Sequence, residues 1–394
     1  MALKIGMELE GHLIDGTGTL SNRASEVIGD SRNNGDIIPE LSKTMWEIIA
    51  PPKYKLSDVY NSFKDRLEML KDIADDYNLR VMPASSLHNE SEVKSRDYER
   101  PRGMRKRIIL KDYKRNLEHH LTGAHVHVDR LEDDEKGYKQ LLLIHAMDPV
   151  FSFMSSSPFF YGKNTLKDYR VELYRNEVFK DLPKQGQLMD YPDSLEDAFE
   201  NQRECYNEFM EILNKNNLDN DGLDELNCVW GPIRLTKFGT IESRCADSNK
   251  LSNLVALAGL YKGISEYIDS ENPEVVINGN YPIDKMFIPK DGKIMIPSYE
   301  QLKNFEKIGV RYGLEDDNLR DYLANIVKTS SKGLEEVEYI EPFNKMIKDR
   351  KNFSDDIVGY AKAKGLEKND KIDAKGAKIL RNYIADSFER DLYN

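Results

Sequence analysis

The chain has 394 residues, with 57 Lys+Arg against 69 Asp+Glu and a net charge of −12, and this acidic balance argues against nucleic-acid binding driven by phosphate neutralisation. Its 39% hydrophobic and 32% charged residues describe a folded chain long enough for one large core, or for a catalytic body with an appendage. The lack of a long apolar run excludes a membrane-spanning helix, the early acid Glu8 disfavours a signal peptide, and three cysteines without a C-x-x-C pair disfavour a disulfide framework or a zinc knuckle, so the chain is read as cytoplasmic.

Residues 3–14 alternate apolar and polar as a strand before an Asp15-Gly16 turn. Residues 37–50 read as a second extended region that Pro51-Pro52 ends. Val59, Phe63, Leu67, Leu70 and Ile73 recur at helical spacing within Leu56–Tyr77. Residues 88–107, rich in Arg, Lys and Glu and broken by Pro101 and Gly103, read as a long loop. Its arginines (Arg96, Arg100, Arg102, Arg105, Arg107) are either solvated or part of a lid over a ligand.

Thr122–Asp129 is a strand, and 136–157 a buried helix closed by Ser155-Ser156-Ser157-Pro158. Leu195–Leu213 is a helix. Val229–Thr236 and Thr240–Ala246 are strands joined at Lys237-Phe238-Gly239, and Leu251–Ile268 is an apolar helix beneath them. The last third has loops at 290–298 and 312–318 and helical segments near 319–328 and 372–391. The pattern predicts an α+β fold, an antiparallel sheet backed by helices, with residues 1–275 as the catalytic domain and 276–394 as a mostly helical region packed on it.

Three of these strands carry polar residues at i and i+2, which face the same way. They are Glu8 and Glu10, His125 and His127, and Glu242 and Arg244, with Glu40 and Glu47 flanking another apolar strand. Such a face is costly to bury unless an ion or ligand satisfies it. Carboxylates dominate, histidine is the minority and thiolate is absent, which favours Mg²⁺ or Mn²⁺ over zinc, and the number of acids suits two or more ions that also hold phosphate oxygens. No Walker A loop or G-x-G-x-x-G turn is present. Trp46 and Trp230 are read as core, His119 and His120 as helix-end histidines, and Cys245 as packing on the face opposite Glu242 and Arg244.

Five segments in order carry a resemblance: Gly6-Met7-Glu8-Leu9-Glu10, Glu40 to Ile48, Thr122 to Val128, Ser156 to Gly162 and Phe238 to Arg244. The series resembles the glutamate–cysteine ligase type 2 (carboxylate–amine ligase) family, relatives of glutamine synthetase. Thr122 stands where bacterial members tend to have cysteine, and the last third matches nothing. The resemblance implies a curved antiparallel sheet like the glutamine synthetase catalytic domain, with ATP and metals on its concave face. It implies one metal on Glu10, Glu40 and Glu47, and a second on Glu8, His125 and Glu242. Arg244 would face the substrate carboxylate and Arg234 the transferred phosphate. His127 would touch phosphate or substrate, or be structural. Tyr169 and Arg170 would contact substrate, with a surface helix arginine as the alternative for Arg170. The implied activity is ATP-dependent amide formation between a glutamate-like carboxylate and an amine. The alternatives are a non-catalytic metal- or nucleotide-binding regulator and a metal-dependent hydrolase. The partners are small molecules, and a homo-oligomer is left open.

Overall fold

Alternation along β1 (Ile5–Asp15) sends Ile5, Met7 and Leu9 into the core and leaves Glu8 and Glu10 on the other face. The computed structural model describes residues 3–88, 92–99, 101–220, 223–226 and 228–393, the side chains of 101, 102, 112 and 113 excepted. Among these, seven strands form one antiparallel sheet: β1, β2 (Ile37–Pro39), β3 (Met45–Lys53), β4 (Leu79–Met82), β5 (Gly123–Asp129), β6 (Ile233–Leu235) and β7 (Thr240–Asp247). Their order is β2-β3-β1-β5-β7-β6, with β4 also paired to β1.

The apolar face is covered by the helices Leu56–Asp76, Asp134–Ala146 and Leu251–Glu271, whose buried residues join Ile5, Leu9, Trp46, Ile48, Val126, Val128 and Ile241 in one core. The helix Leu251–Glu271 is buried nearly all round, as its continuous apolar run requires. Burial on this face is the main stabilising contribution, at about 25 cal/mol per Å² of apolar surface. Helices Tyr299–Tyr312 and Asp317–Ser330 add Leu302, Phe305, Leu319 and Tyr322 to the same core. Phe353–Ala363 and Ala374–Tyr393 cover Ile14, Met82 and Phe159 at the β4 end. None of the described helices is long and apolar enough to cross a membrane.

Several expectations are corrected. Pro51 and Pro52 do not end the second extended region; they lie inside β3, where a register irregularity against β1 accommodates residues that cannot donate to the ladder. The 136–157 helix stops at Ala146 and gives way to a short turn at Asp148–Val150, because Pro149 has no N–H to continue it. Only Ile233–Leu235 of the 229–236 segment is strand. The 290–298 loop contains Lys293–Ile296, which pairs in parallel with Glu274–Ile277. Pro101–Glu118 is helical, with a break at Lys111, where the segment was expected to remain a loop to 107. A proline at the first helical position costs nothing, since that N–H has no intrahelical partner. Gly103 is demanded by proximity, because a Cβ there would lie 2.7 Å from the Asp97 Cα.

Candidate active site

Strand register sets the site. Glu8 lies opposite His125, Glu10 opposite Glu47, and Glu242 lies between His127 on one side and Arg234 on the other. Five of the strands (β1, β3, β5, β6 and β7) therefore place their polar residues side by side on the face that the helices leave open.

Glu8, His125 and Glu242 each offer a donor atom within 4.8 Å of the others. His125 Nδ1 is 2.8 Å from Glu8 Oε2 and 3.8 Å from Glu242 Oε1. His127 Nε2 is buried without a hydrogen-bond partner, 3.4 Å from Glu8 Oε1 and 3.8 Å from Glu242 Oε1. Burial would raise Glu8, but the His125 hydrogen bond and the nearby His127 imidazole outweigh it and hold the carboxyl well below its usual range. Burial would raise Glu242 too, yet Arg244 and Arg234, then the histidines, bring it to about 2. Burial and the Arg244 charge lower His125 to about 4, against the pull of Glu8 and Glu242, so it is a neutral imidazole at pH 7. Two ionised carboxylates and a neutral imidazole suit a hard divalent cation.

Glu10, Glu40 and Glu47 form a second cluster of different electrostatics. Burial, then Glu40, pushes Glu10 up to about 8, despite Arg170, the Gly123 N–H donating at 2.7 Å, and Arg244. Burial, then Glu40, Glu8 and Glu10, raises Glu47 well above the ordinary value. A divalent cation is the charge that would restore both to their ionised forms.

The arginines face these acids. Arg234 Nε and Arg244 Nη1 each donate to a different oxygen of the fully buried Glu242. The Arg170 guanidinium donates to the carbonyls of Cys245 (3.3 Å) and Arg244 (3.2 Å), which straps it along β7 beside Arg244. It is buried in the site, not on a helix surface. Gly123 is required here, since a Cβ would lie 2.2 Å from Arg170 Nη2. Tyr169 does not reach the cleft: its hydroxyl bonds the Thr165 side chain at 2.7 Å and its ring packs on Phe160. Cys245 packs with Phe151, Val171 and Val310 behind the strand.

A cleft of about 360 Å³ opens over the acids and Arg170, Arg234 and Arg244, and its far wall comes from the segment expected to be a loop. Arg96 and Lys106 line it, and Arg105 and Arg107 are buried near it, so the arginines are not a solvated basic loop. Arg100 and the Arg102 side chain lie outside the described residues. Arg115 donates to Asp97 at 2.9 and 2.5 Å and also to Glu118, which takes Lys106 at 2.8 Å. His119 stands 3.3 Å from Asp97. Sequence reasoning missed Asp97, Lys106, Arg115 and Glu118; the alternation of opposite charges was the available signal. Trp230, expected in the core, is half-buried in the cleft wall, with the Lys106 ammonium 4.6 Å from its ring centroid.

An antiparallel sheet with helices on one face leaves this acid, histidine and arginine set on the other, and solved structures share that fold. The chain is similar in fold to a bifunctional glutathione synthetase from Pasteurella multocida (TM-score 0.61, 13% identity, 98% of this chain and 53% of that one). It is also similar to a glutamate–cysteine ligase from Francisella tularensis in complex with AMP (TM-score 0.58, 12% identity, 100% and 94%). In sequence, the model of glutamate–cysteine ligase family 2 matches residues 4–277, and the chain belongs to that family. It is 24% identical over 269 residues to a Roseiflexus castenholzii protein named "Putative glutamate--cysteine ligase 2", and 24% identical over 235 residues to one so named from Roseiflexus sp. (strain RS-1). The matched stretches are 66% and 58% of this chain and span 65% and 56% of those relatives' lengths.

Proposed function

We propose that the protein is an ATP-dependent carboxylate–amine ligase of the glutamate–cysteine ligase kind, joining a glutamate-like acid to an amino acid or other amine. The observation that carries this reading is the Glu8, His125 and Glu242 cluster beside Glu10, Glu40 and Glu47 on one sheet face, with Arg244, Arg170 and Arg234 turned into the same cleft. Family membership supports it.

Glu8, His125 and Glu242 would hold one Mg²⁺ or Mn²⁺, and Glu10, Glu40 and Glu47 a second. Such ions, when bound, offset the charge of the ATP phosphates and of the transferred phosphoryl group. Arg244 and Arg170 would grip the acid substrate, since a guanidinium fork matches a carboxylate in a bidentate way. Arg234, and His127 through its unpartnered Nε2, would meet the phosphates. A substrate carboxylate oxygen attacks the γ-phosphorus and ADP leaves, giving an acyl phosphate. The amine nitrogen then attacks the acyl carbon, the amide forms and phosphate departs. With glutamate and cysteine the product is a γ-glutamyl dipeptide, the class that glutathione biosynthesis consumes.

A coupled ADP-release screen of acid and amine pairs with Mg²⁺ tests this. Release that requires both an acid and an amine is expected. Release from ATP alone at the same rate, or from none of the pairs, overturns it.

A further inference from the structure

Behind Arg170 lies a buried cluster that none of these steps uses. Asp168 and Asp247 are both fully buried, and the Ser155-Ser156-Ser157 run connects them. Asp168 caps the short helix carrying Arg170, accepting from the Val171 N–H at 2.8 Å and from Ser155 Oγ at 2.9 Å. Asp247, at the end of β7, accepts from the Ser156 N–H at 2.9 Å and from Ser157 Oγ at 2.7 Å. Ser157 Oγ in turn accepts the Arg170 N–H at 3.1 Å, so one hydroxyl ties the Arg170 backbone to the Asp247 carboxylate.

Asp247 Oδ1 and Arg170 Nε are both buried without a hydrogen-bond partner. A buried polar atom left unpaired is rare and costly, so the retention of each needs a reason. Burial and Asp247 push Asp168 up to about 8, whereas the Arg170 charge favours ionised Asp247 against its own burial. The Arg170 guanidinium, already spent on the Arg244 and Cys245 carbonyls, keeps Nε uncommitted.

We infer that Asp247, through Ser157, is a positioning residue for Arg170, holding the guanidinium against β7 so that the site grips an acidic substrate. The inference rests on the ligase reading for what Arg170 grips, but not for how Arg170 is held. Asp247 touches no reacting atom and acts only through Arg170.

Two linked measurements test it. In the ADP-release assay, Asp247→Asn should raise KM for the acid roughly 10-fold, the worth of a charge-assisted hydrogen bond, with kcat and KM for ATP within about two-fold of wild type. In an Arg170→Ala background the same change should add nothing to the acid KM. Ser157→Ala, which keeps both carboxylates, should give the same KM signature and serves if Asp247→Asn fails to fold. The thermal-unfolding double-mutant cycle of Asp247→Asn with Arg170→Ala should likewise be non-additive. Equal loss for acid and ATP, a full effect persisting in the Arg170→Ala background, or an additive unfolding cycle would overturn the inference. If wild type shows no acid-dependent ADP release, the ligase reading is lost and the unfolding cycle alone decides.

Discussion

The two acid clusters on the sheet differ in how the chain treats their charge. Around Glu8 and Glu242 the protein supplies its own counter-charges, and both carboxyls sit below their usual range. Around Glu10, Glu40 and Glu47 the acids face chiefly one another, and Glu10 and Glu47 are raised. The first cluster is thus preorganised by the fold, whereas the second lacks a counter-charge of its own beyond the flanking Arg170 and Arg244. The two clusters should therefore respond differently to mutation, pH and added divalent cation.

The largest effect should come from breaking the preorganised half. Glu242→Gln leaves Arg234 and Arg244 without their shared partner, so we expect kcat/KM to fall at least ~100-fold and stability by about 3 kcal/mol, read by ADP release and denaturant unfolding. Glu47→Gln should do the opposite to stability: without divalent cation at pH 8 the unfolding temperature rises, because burial and the neighbouring acids no longer oppose a carboxyl group there, while the stabilisation by Mg²⁺ shrinks. A drop in the metal-free unfolding temperature would erase the distinction between the clusters.

Arg244→Lys keeps the charge but loses the fork, and KM for the acid should rise by at least ~10-fold while KM for ATP moves much less. Equal shifts in steady-state kinetics would move Arg244 to the phosphates.

The smallest effect is pH-dependent. Glu10 titrates near its ordinary value of 4.5 when unfolded and at about 8 when folded. The folded chain thus keeps a proton that the unfolded chain releases, and stability is lost as pH rises from about 4.5 through 8. Metal-free protein should unfold at a lower temperature at pH 8 than at pH 6, and Mg²⁺ should flatten that slope by favouring ionised carboxylates. A slope unchanged by Mg²⁺ or Mn²⁺ in a thermal-shift scan would argue against a cation beside Glu10.

Local pattern by itself determined much of this protein. The period-two alternation of β1, β5 and β7 announces a sheet with one polar face, because successive strand side chains must alternate, and it marks Glu8, Glu10, His125, His127, Glu242 and Arg244 before any pairing is known. The helices at 56–76, 195–215 and 251–271 are equally plain in their apolar spacing or continuity. Tertiary structure alone decided the rest. Strand order and register place His127 beside Glu242 and Glu10 beside Glu47, and these are pairings across more than thirty residues that no local pattern encodes. Packing also turned the charged segment 96–118 inward. Its composition resembles a solvated loop, yet Arg115 and Lys106 are buried on Asp97 and Glu118, because a charge can leave water when an opposite charge within hydrogen-bonding distance replaces it.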